Sequence, residues 1–264
     1  MDPNFNDGRL RLMGILNVTP DSFSDGGKHF HEADAFEAAQ RMKGEGADIL
    51  DIGAESTRPG FTPVSVDEEI SRLKPLISKI ADLKLPVSID TTKARVAAFA
   101  IEQGAGIIND IWGLQKDNEM ARLAAVKDVP VILMHNRAEA DDKIDIMAEM
   151  QQFFMRSLEI SDAAGVKRGR LVIDPGIGFG KTLEQNLVVL KNIALLKRFN
   201  IPILVGASRK SFIGKIVESA PQQRLAGTIA AHLAAVKNGA SILRVHDVAD
   251  MKQALLVDEA IQNA

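Results

Sequence analysis

Polar and charged side chains follow short apolar runs at several places in the sequence. The uncharged and acidic members of this set are Asn17, Asp51, Asp90, Asn109 and Asp174, and the basic members are Arg58, Lys210, Arg244 and His246. Carboxylates and amides can pair with the edge of a polar ring, and cations can hold an anionic group. A single Asp after a strand is equally well explained as a helix cap. The whole set together indicates a site for an anionic, heteroaromatic substrate.

The histidines differ in what their positions indicate. Arg244 and His246 are two residues apart in an apolar run, so in a strand they share a face and can address the same anion. His29, His31 and His135 have no spacing typical of a shared metal site. His232 lies in an Ala/Leu-rich segment, where a core histidine with satisfied hydrogen bonds is the better interpretation. The sequence therefore does not predict a zinc site made of histidines.

A glycine-rich run at residues 175–182 resembles a phosphate-binding P-loop, with Lys181 and Thr182 opening a helix after a strand. The match fails at Pro175, where the P-loop pattern requires a glycine. Gly176, Gly178 and Gly180 also lack the spacing of a dinucleotide-binding fingerprint. We expect a tight turn that lets Phe179 cover a ligand.

Eight apolar runs rich in β-branched residues precede these polar positions, and they predict strands buried on both faces of a parallel sheet. They cover residues 10–16, 49–52, 87–89, 107–111, 131–134, 171–173, 203–205 and 242–245. Segments with helical composition lie between them and after the last, at residues 33–43, 67–81, 93–103, 118–127, 145–164, 183–198, 221–237 and 249–261. Ser65, Gly104, Gly165 and Gly239 provide cap or stop signals for four of these helices.

Strand and helix alternate eight times in 264 residues. An open doubly wound sheet needs about six strands, whereas a (β/α)8 TIM barrel needs eight units in roughly 250 residues. We therefore predict a TIM barrel, whose site lies at the carboxyl ends of the strands. No linker or low-complexity stretch divides the chain, so residues 1–264 are predicted to form one domain.

The composition excludes several classes of protein. Lys and Arg number 32 against 35 Asp and Glu, and the net charge of −3 gives no global field for nucleic acid or an acidic membrane surface. The chain contains no Cys, which excludes disulfides, thiolate metal sites and a Cys nucleophile. It has neither a signal-peptide core nor a run of about 18 apolar residues, so we expect a cytoplasmic protein.

Several segments together resemble the dihydropteroate synthase family, from about residue 9 to the last helix. The longest are residues 13–27, which begin Met-Gly-Ile-Leu-Asn, and 51–60, which contain Glu-Ser-Thr-Arg-Pro-Gly. Further matches lie at residues 88–91, 108–110, 174–181, 208–214 and 243–247. Departures from the family pattern lie on the rim and after the fifth strand, at residues 61–62, Trp112 and residues 136–140.

The resemblance implies a transferase of folate biosynthesis. Such an enzyme joins 7,8-dihydropterin-6-ylmethyl diphosphate to 4-aminobenzoate and releases 7,8-dihydropteroate and diphosphate. By the same resemblance the pterin pocket comprises Asp90, Asn109, Asp174, Lys210 and Arg244. Thr57, Arg58, Arg244 and His246 hold the diphosphate, and Asn17 is the protein ligand of a Mg²⁺ ion that assists its departure.

The implied reaction is similar to an SN1 displacement, in which diphosphate leaves before the arylamine attacks. Phe23 and Asp25 of the first loop then close over the reacting carbon, and Asp25 stabilises the cation; Asp90 and Lys210 complete the catalytic set. The 4-aminobenzoate lies among Phe23, Pro59, Phe179 and the stem of Lys210, with its carboxylate on Ser211. The absence of an obvious nucleophile–base pair agrees with this chemistry. The resemblance alone implies a homodimer.

Two alternatives remain open at this point. A pterin-binding barrel that moves a methyl group from methyltetrahydrofolate shares the Asp and Asn positions, but it does not need Arg58, Arg244, His246 or the 208–211 run. A pterin-binding module without catalysis is expected to lose Asn17 and Asp25, which this chain retains.

Overall fold

Eight parallel strands form the centre of the molecule. The computed structural model describes residues 4–18, 28–55 and 63–264, and of residues 28–31 it describes only the backbone. The strands are β1 (Arg11–Asn17), β2 (Ile49–Gly53), β3 (Val87–Asp90), β4 (Ile107–Asp110), β5 (Val131–Met134), β6 (Leu171–Asp174), β7 (Leu204–Val205) and β8 (Ile242–Val245).

The strands are hydrogen-bonded in the order β6-β5-β4-β3-β2-β1-β8-β7. A parallel bridge between Ile173 and Ile203 joins the two ends of this order, and Ile173 N donates to Pro202 O at 3.0 Å, an ordinary hydrogen-bond distance. The sheet is thereby closed, and the predicted TIM barrel is confirmed.

Helices surround the barrel. They are α1 (Lys28–Gly44), α2 (Val66–Leu73), α3 (Ile77–Ala81), α4 (Ala94–Glu102), α5 (Asn118–Lys127), α6 (Ile146–Ala164), α7 (Leu183–Lys191), α8 (Ser211–Val217), α9 (Leu225–Lys237) and α10 (Val248–Gln262). None of these described helices is long and apolar enough to cross a membrane.

Local sequence signals explain where several helices begin and end. Ser65 Oγ accepts a hydrogen bond from Glu68 N at 3.2 Å, which confirms the predicted cap of α2. Gly165 ends α6 with a φ of 85°, and Gly104 and Gly239 follow α4 and α9 with φ values of 108° and 104°. These left-handed conformations are the reason that glycine stands at the helix ends.

Two predicted helices are interrupted in the structure, and one helix was not predicted. The predicted helices 33–43 and 221–237 also begin elsewhere, at Lys28 and Leu225. The segment 67–81 divides into α2 and α3 because Pro75 has no N–H for the helical hydrogen bond. The segment 183–198 ends as an α-helix at Lys191 and continues as a 3-10 helix from Ile193 to Phe199. The α-helix breaks at Asn192, whose side chain donates to Val188 O at 2.8 Å. The short helix α8 has too few residues to produce a helical period in the sequence.

The barrel interior contains a layer of apolar side chains that supports the site above it. Seven strand residues form this layer together with Phe5: Met13, Ile49, Ile107, Ile132, Val172, Leu204 and Ile242. Side chains two residues apart on a strand point the same way. The inward positions above the layer therefore include Asp51, Asn109, Asp174 and Arg244, at the carboxyl ends of their strands.

Candidate active site

The centre of the barrel mouth is a group of charged and amide side chains on strands, and Arg244 joins its members. Arg244 Nε donates to Asp51 Oδ2 at 2.6 Å, and Arg244 Nη2 donates to Asp90 Oδ2 at 2.8 Å. Asn109 Nδ2 donates to the same Asp51 oxygen at 3.1 Å. Together with Asp174 these four side chains form what we call the strand-borne group.

Three residues of this group, Asp51, Asp90 and Asn109, each keep one oxygen without a hydrogen-bond partner among the described residues. Asp51 Oδ1, Asp90 Oδ1 and Asn109 Oδ1 are buried and have no hydrogen-bond partner in the part of the chain that the structure describes. A buried acceptor without a partner costs about 1–3 kcal/mol. A ligand that brings N–H donors to these oxygens therefore gains affinity that a ligand without them lacks.

A small cavity opens beside the strand-borne group. Its polar lining comes from Asp90, Asn109, Asp174, Lys210 and Arg244, and its apolar lining from Ile111, Met134, Ile177 and Phe179. All five residues that the sequence assigned to a pterin pocket thus lie around one cavity.

Burial shifts the protonation equilibria of this cavity. Desolvation raises the pKa of Asp174 to about 6, although a hydrogen bond from Gly176 N partly opposes this shift. Desolvation likewise raises the pKa of Asp90 to about 7, although Arg244 opposes the shift. The pKa of Lys210 falls to about 8 because of desolvation and the charge of Arg244. The pKa values of these three groups therefore lie close to neutral pH, as is common at functional sites.

Lys210 and Phe179 form one side of the cavity. Lys210 Nζ lies 4.0 Å from the centre of the Phe179 ring, within the range of a cation–π contact. Both residues lie on turns, Phe179 after β6 and Lys210 after β7. Ser211 is exposed and begins α8 directly after Lys210. We call Phe179, Lys210 and Ser211 the turn-borne group.

The protonation state of His246 corrects one expectation from the sequence, which counted this residue among the potential cations. Burial and the neighbouring Arg244 lower the pKa of His246 to about 3, so its ring is neutral near pH 7. Ser208 Oγ lies 2.9 Å from His246 Nδ1 and accepts from His246 N. A hydroxyl proton donated to Nδ1 leaves Nε2–H as a donor, so His246 can hold a phosphate oxygen but brings no charge.

Asn17 ends β1 at the same mouth. A Cβ at Gly53 would lie 3.7 Å from Asn17 Oδ1 and 3.7 Å from Asp90 Oδ2, so the bare backbone of Gly53 leaves space between these oxygens. Carboxylate and amide oxygens are ligands that Mg²⁺ prefers. Within residues 4–18, 28–55 and 63–264 no three His, Asp or Glu side chains converge as a metal site. A Mg²⁺ ion at Asn17 would need water or substrate oxygens to complete its shell, which suits this ion.

Five of the expected site residues lie outside the described residues: Phe23, Asp25, Thr57, Arg58 and Pro59. The ends of the second loop are described, and a buried ion-pair network holds them. Lys93 Nζ donates to Glu55 Oε1 at 2.9 Å and to Glu69 Oε2 at 2.7 Å. Val64 N donates to the same Glu55 oxygen at 2.8 Å. Sequence reasoning missed this network, which ties both ends of the segment that contains Thr57, Arg58 and Pro59.

A second set of supporting residues holds the turn after β7, which carries Lys210. His232 Nδ1 donates to Thr228 O at 3.0 Å, so Nε2 accepts from Ala207 N at 3.2 Å. This geometry confirms His232 as a core histidine with satisfied hydrogen bonds, and burial lowers its pKa to about 4. Arg209 has a left-handed φ of 57°, and its Nε donates to Asp247 Oδ2 at 3.0 Å.

Asp51 is the most important residue to which the sequence gave no role. Its side chain is fully buried and accepts from both Arg244 and Asn109. Its position at the end of β2 was a signal, since it lies in the polar set at the strand ends. The role itself depends on a contact between residues 193 positions apart, which no local pattern encodes.

Comparisons with known proteins agree with this geometry. The sequence matches the family described as pterin binding enzyme over residues 13–246. A dihydropteroate synthase of Clostridium beijerinckii is 48% identical over 261 residues, covering 97% of this chain and 96% of the relative. The crystal structure of a Clostridium difficile dihydropteroate synthase with pteroic acid has a TM-score of 0.92 and 46% identity, covering 96% of this chain and 97% of the other. A Xanthomonas albilineans dihydropteroate synthase with 4-aminobenzoic acid has a TM-score of 0.93 and 44% identity, covering 97% of this chain and 94% of the other.

Proposed function

The chain belongs to the pterin binding enzyme family, and we propose from the geometry of its site that it acts as its dihydropteroate synthase relatives do. It is a transferase of folate biosynthesis. It condenses 7,8-dihydropterin-6-ylmethyl diphosphate with 4-aminobenzoate and produces 7,8-dihydropteroate and diphosphate. The observation that carries this proposal is that Asp90, Asn109 and Asp174 line one cavity, where Asp90 and Asn109 each have a buried oxygen without a hydrogen-bond partner among the described residues.

The strand-borne group suits the pyrimidine edge of a pterin. That edge presents an amino group and a ring N–H on one side, and one carboxylate can accept from both. Asp174 is the residue proposed to do so, because Gly176 N occupies only its Oδ1. Asn109 and Asp90 pair with the remaining ring positions. The planar guanidinium of Arg244 lies on the ring face, held by Asp51 and Asp90.

The diphosphate requires positive charge and hydrogen-bond donors at the same mouth. Arg244 retains its charge, since nearby Asp51 and Asp90 help to raise its pKa. Lys210 adds a second cation below about pH 8. His246 donates a hydrogen bond through a neutral ring, and Thr57 and Arg58 are proposed to complete the diphosphate site from the second loop. The diphosphate is therefore bound by a few charged groups at the barrel mouth, and the protein as a whole does not need a positive net charge.

Asn17 is proposed as the protein ligand of Mg²⁺, since its Oδ1 faces the space above Gly53. When bound, the ion neutralises charge on the leaving diphosphate. Asn17 would hold the ion through its amide oxygen, and Arg244 and Lys210 stabilise the negative charge that develops on the diphosphate oxygens.

The reaction breaks the C–O bond between the pterin methylene and the diphosphate, and the diphosphate leaves with the electron pair. The cation that remains is delocalised into the dihydropterin ring. The lone pair of the neutral arylamine then forms the new C–N bond, and the amine loses a proton to solvent. No protein nucleophile takes part in these steps. Asp25 is proposed to stabilise the cation and Phe23 to cover the reacting carbon.

The turn-borne group is proposed to bind 4-aminobenzoate. The ring of Phe179 and the aliphatic stem of Lys210 offer an apolar surface for the benzene ring. Ser211 offers a hydroxyl and a backbone N–H for the carboxylate at the start of α8. Phe23 and Pro59 are proposed to close this subsite from the first and second loops.

A cytoplasmic homodimer is part of the same proposal. An apolar groove runs along α10, where Leu256, Val257 and Ile261 are each more than half exposed. Exposed apolar patches of this kind mark interaction surfaces. Light scattering during size exclusion should give twice the 28.6 kDa of one chain, and a mass of one chain would contradict the dimer.

The decisive assay mixes the protein with dihydropterin diphosphate and 4-aminobenzoate, with and without Mg²⁺. It follows diphosphate release and dihydropteroate formation in the same reaction. We expect both products in equal amounts and only in the presence of Mg²⁺. Failure to form dihydropteroate with Mg²⁺ present would overturn the proposed function.

A further inference from the structure

The glycine turn after β6 contains a buried lysine that the proposed reaction does not use. Lys181 Nζ donates to Gly176 O at 2.8 Å and to Phe179 O at 3.0 Å, and it lies 3.5 Å from His135 O at the end of β5. Only 9% of this residue is exposed. An ammonium group has three donors, and three backbone carbonyls receive them.

A second buried side chain holds the same turn from α7. Asn186 Oδ1 accepts from Gly178 N at 2.6 Å, and Asn186 Nδ2 donates to Thr182 O at 2.7 Å. Lys181 therefore satisfies carbonyls of the turn, and Asn186 satisfies an N–H that lies between them. We call these two side chains the Lys181–Asn186 clamp.

The backbone of this turn adopts conformations that only glycine takes without strain. Gly176, Gly178 and Gly180 have φ values of 64°, 85° and 53°. A Cβ at Gly176 would lie 1.9 Å from His135 O, so the turn lies directly against the end of β5. Glycines permit this shape but do not favour it, because they have the most conformational freedom to lose. Gly176 N donates to Asp174 Oδ1 and Phe179 N donates to Gly176 O, and the clamp adds the further side-chain bonds that select the shape.

The buried charge supports the same interpretation. Desolvation lowers the pKa of Lys181 to about 7, which means that the fold raises the free energy of the ammonium. An apolar side chain of similar length would avoid this cost. Lysine at this position is therefore explained by its bonds to the turn, and since they occupy its ammonium group, the resemblance of residues 175–182 to a P-loop does not extend to phosphate binding.

We propose that the Lys181–Asn186 clamp positions Phe179 against Lys210 and thereby sets the affinity of the enzyme for its arylamine substrate. Lys181 donates to the carbonyl of Phe179 itself, and Asn186 accepts from the N–H of the preceding Gly178, while the Phe179 ring lies 4.0 Å from Lys210 Nζ. Among the described residues, neither clamp side chain is hydrogen-bonded to a side chain of the strand-borne group, and only the charge of Lys181 acts on it, by lowering the pKa of Asp174. The clamp is thus a positioning device for one substrate, and the inference rests on the proposed function.

The test compares Lys181→Met and Asn186→Ala with the unmodified enzyme in steady-state kinetics on both substrates. We expect KM for 4-aminobenzoate to rise by about tenfold in each variant, while KM for dihydropterin diphosphate stays within about twofold. Lys167→Met is the matched control, because Lys167 is exposed and pairs with Asp128 outside the cavity. It should leave both constants unchanged.

A double-mutant cycle with Phe179→Ala identifies the route of the effect. If the clamp acts through Phe179, adding Lys181→Met to Phe179→Ala should raise KM for 4-aminobenzoate by less than about twofold further. An equal rise in both KM values, or fully additive effects in the double mutant, would overturn the inference. Asn186→Ala supplies the same test if Lys181→Met does not fold. An unmodified enzyme that makes no dihydropteroate would instead contradict the proposed function.

Discussion

The strand-borne group and the turn-borne group form two sides of one cavity, but different forces hold them. Asp51, Asp90, Asn109, Asp174 and Arg244 lie on strands whose positions are fixed by the hydrogen bonds of the barrel. Phe179 and Lys210 lie on turns that depend on individual buried side chains, and Ser211 begins the helix directly after the second turn. The fold thus fixes the pterin side of the site through the sheet and the arylamine side through a few bonds from buried side chains.

The two groups also differ in their electrostatics. The strand-borne group brings three carboxylates to one guanidinium, and burial raises the pKa of two of them, Asp90 and Asp174. The turn-borne group combines a cation with an aromatic ring. A polar ring edge and a benzene ring need these two different surroundings.

The largest effect is expected where the strand-borne group loses its central acceptor. Asp51→Ala removes one partner of the buried Arg244 and leaves Asn109 Nδ2 without its acceptor, so the free energy of unfolding should fall by about 3–5 kcal/mol. Urea unfolding measures this loss in the free energy of unfolding. Arg95→Ala is the control, since its pair with Asp67 is exposed and should contribute less than about 1 kcal/mol. Equal losses in the two variants would contradict the central position of Asp51.

The next effect concerns ligand binding alone. Asp174→Ala removes the carboxylate proposed to pair with the pterin edge, so the affinity for dihydropterin diphosphate should fall by roughly 100-fold or more. Calorimetry measures the affinity, and circular dichroism should show an unchanged fold. A variant that retains its affinity would remove Asp174 from the site.

A smaller effect tests the raised pKa of Asp174 through the pH dependence of the free energy of unfolding. Because the pKa of Asp174 is raised from 3.8 to about 6, the folded protein binds this proton more tightly than the unfolded chain does. Its contribution to stability is complete below about pH 4 and is lost as the pH rises through about 6. Asp174→Asn does not titrate, so its stability relative to the unmodified protein should increase by roughly 2 kcal/mol between pH 4 and 7. A difference that does not change with pH would show that burial leaves this pKa unshifted.

The smallest effect tests the turn-borne group. Phe179→Ala removes the ring that faces Lys210 and should raise KM for 4-aminobenzoate by about tenfold, which corresponds to about 1.4 kcal/mol. KM for dihydropterin diphosphate should not change. If both constants rise together, the two groups do not bind separate substrates and the comparison between them fails.

The sequence predicted most of the barrel because its signals are local. Strands buried on both faces appear as continuous apolar runs, and β5 and β8 have the predicted bounds, residues 131–134 and 242–245. The break between α2 and α3 was also encoded locally, by Pro75, but the helical composition around it concealed the signal.

The rest of the site depends on contacts that only the folded chain brings together. The pairing of Arg244 with Asp51 joins positions 193 residues apart, and the neutral state of His246 results from burial beside Arg244. In the sequence Lys181 resembles the lysine of a phosphate loop, but in the fold its ammonium group donates to backbone carbonyls. The residue types show that these positions can take part in binding or catalysis, but the role of each residue depends on its contacts in the folded chain.

A crystal structure of the protein with bound 7,8-dihydropteroate tests the central claim most directly, because this product contains both halves of the reaction. We predict that the N–H groups of the pterin edge lie within hydrogen-bond distance of Asp174, with Asn109 beside the ring and Arg244 on its face. The benzoate half should lie against Phe179 and the stem of Lys210. A pterin ring bound away from Asp174 and Asn109, or a benzoate half that does not contact Phe179, would contradict the account.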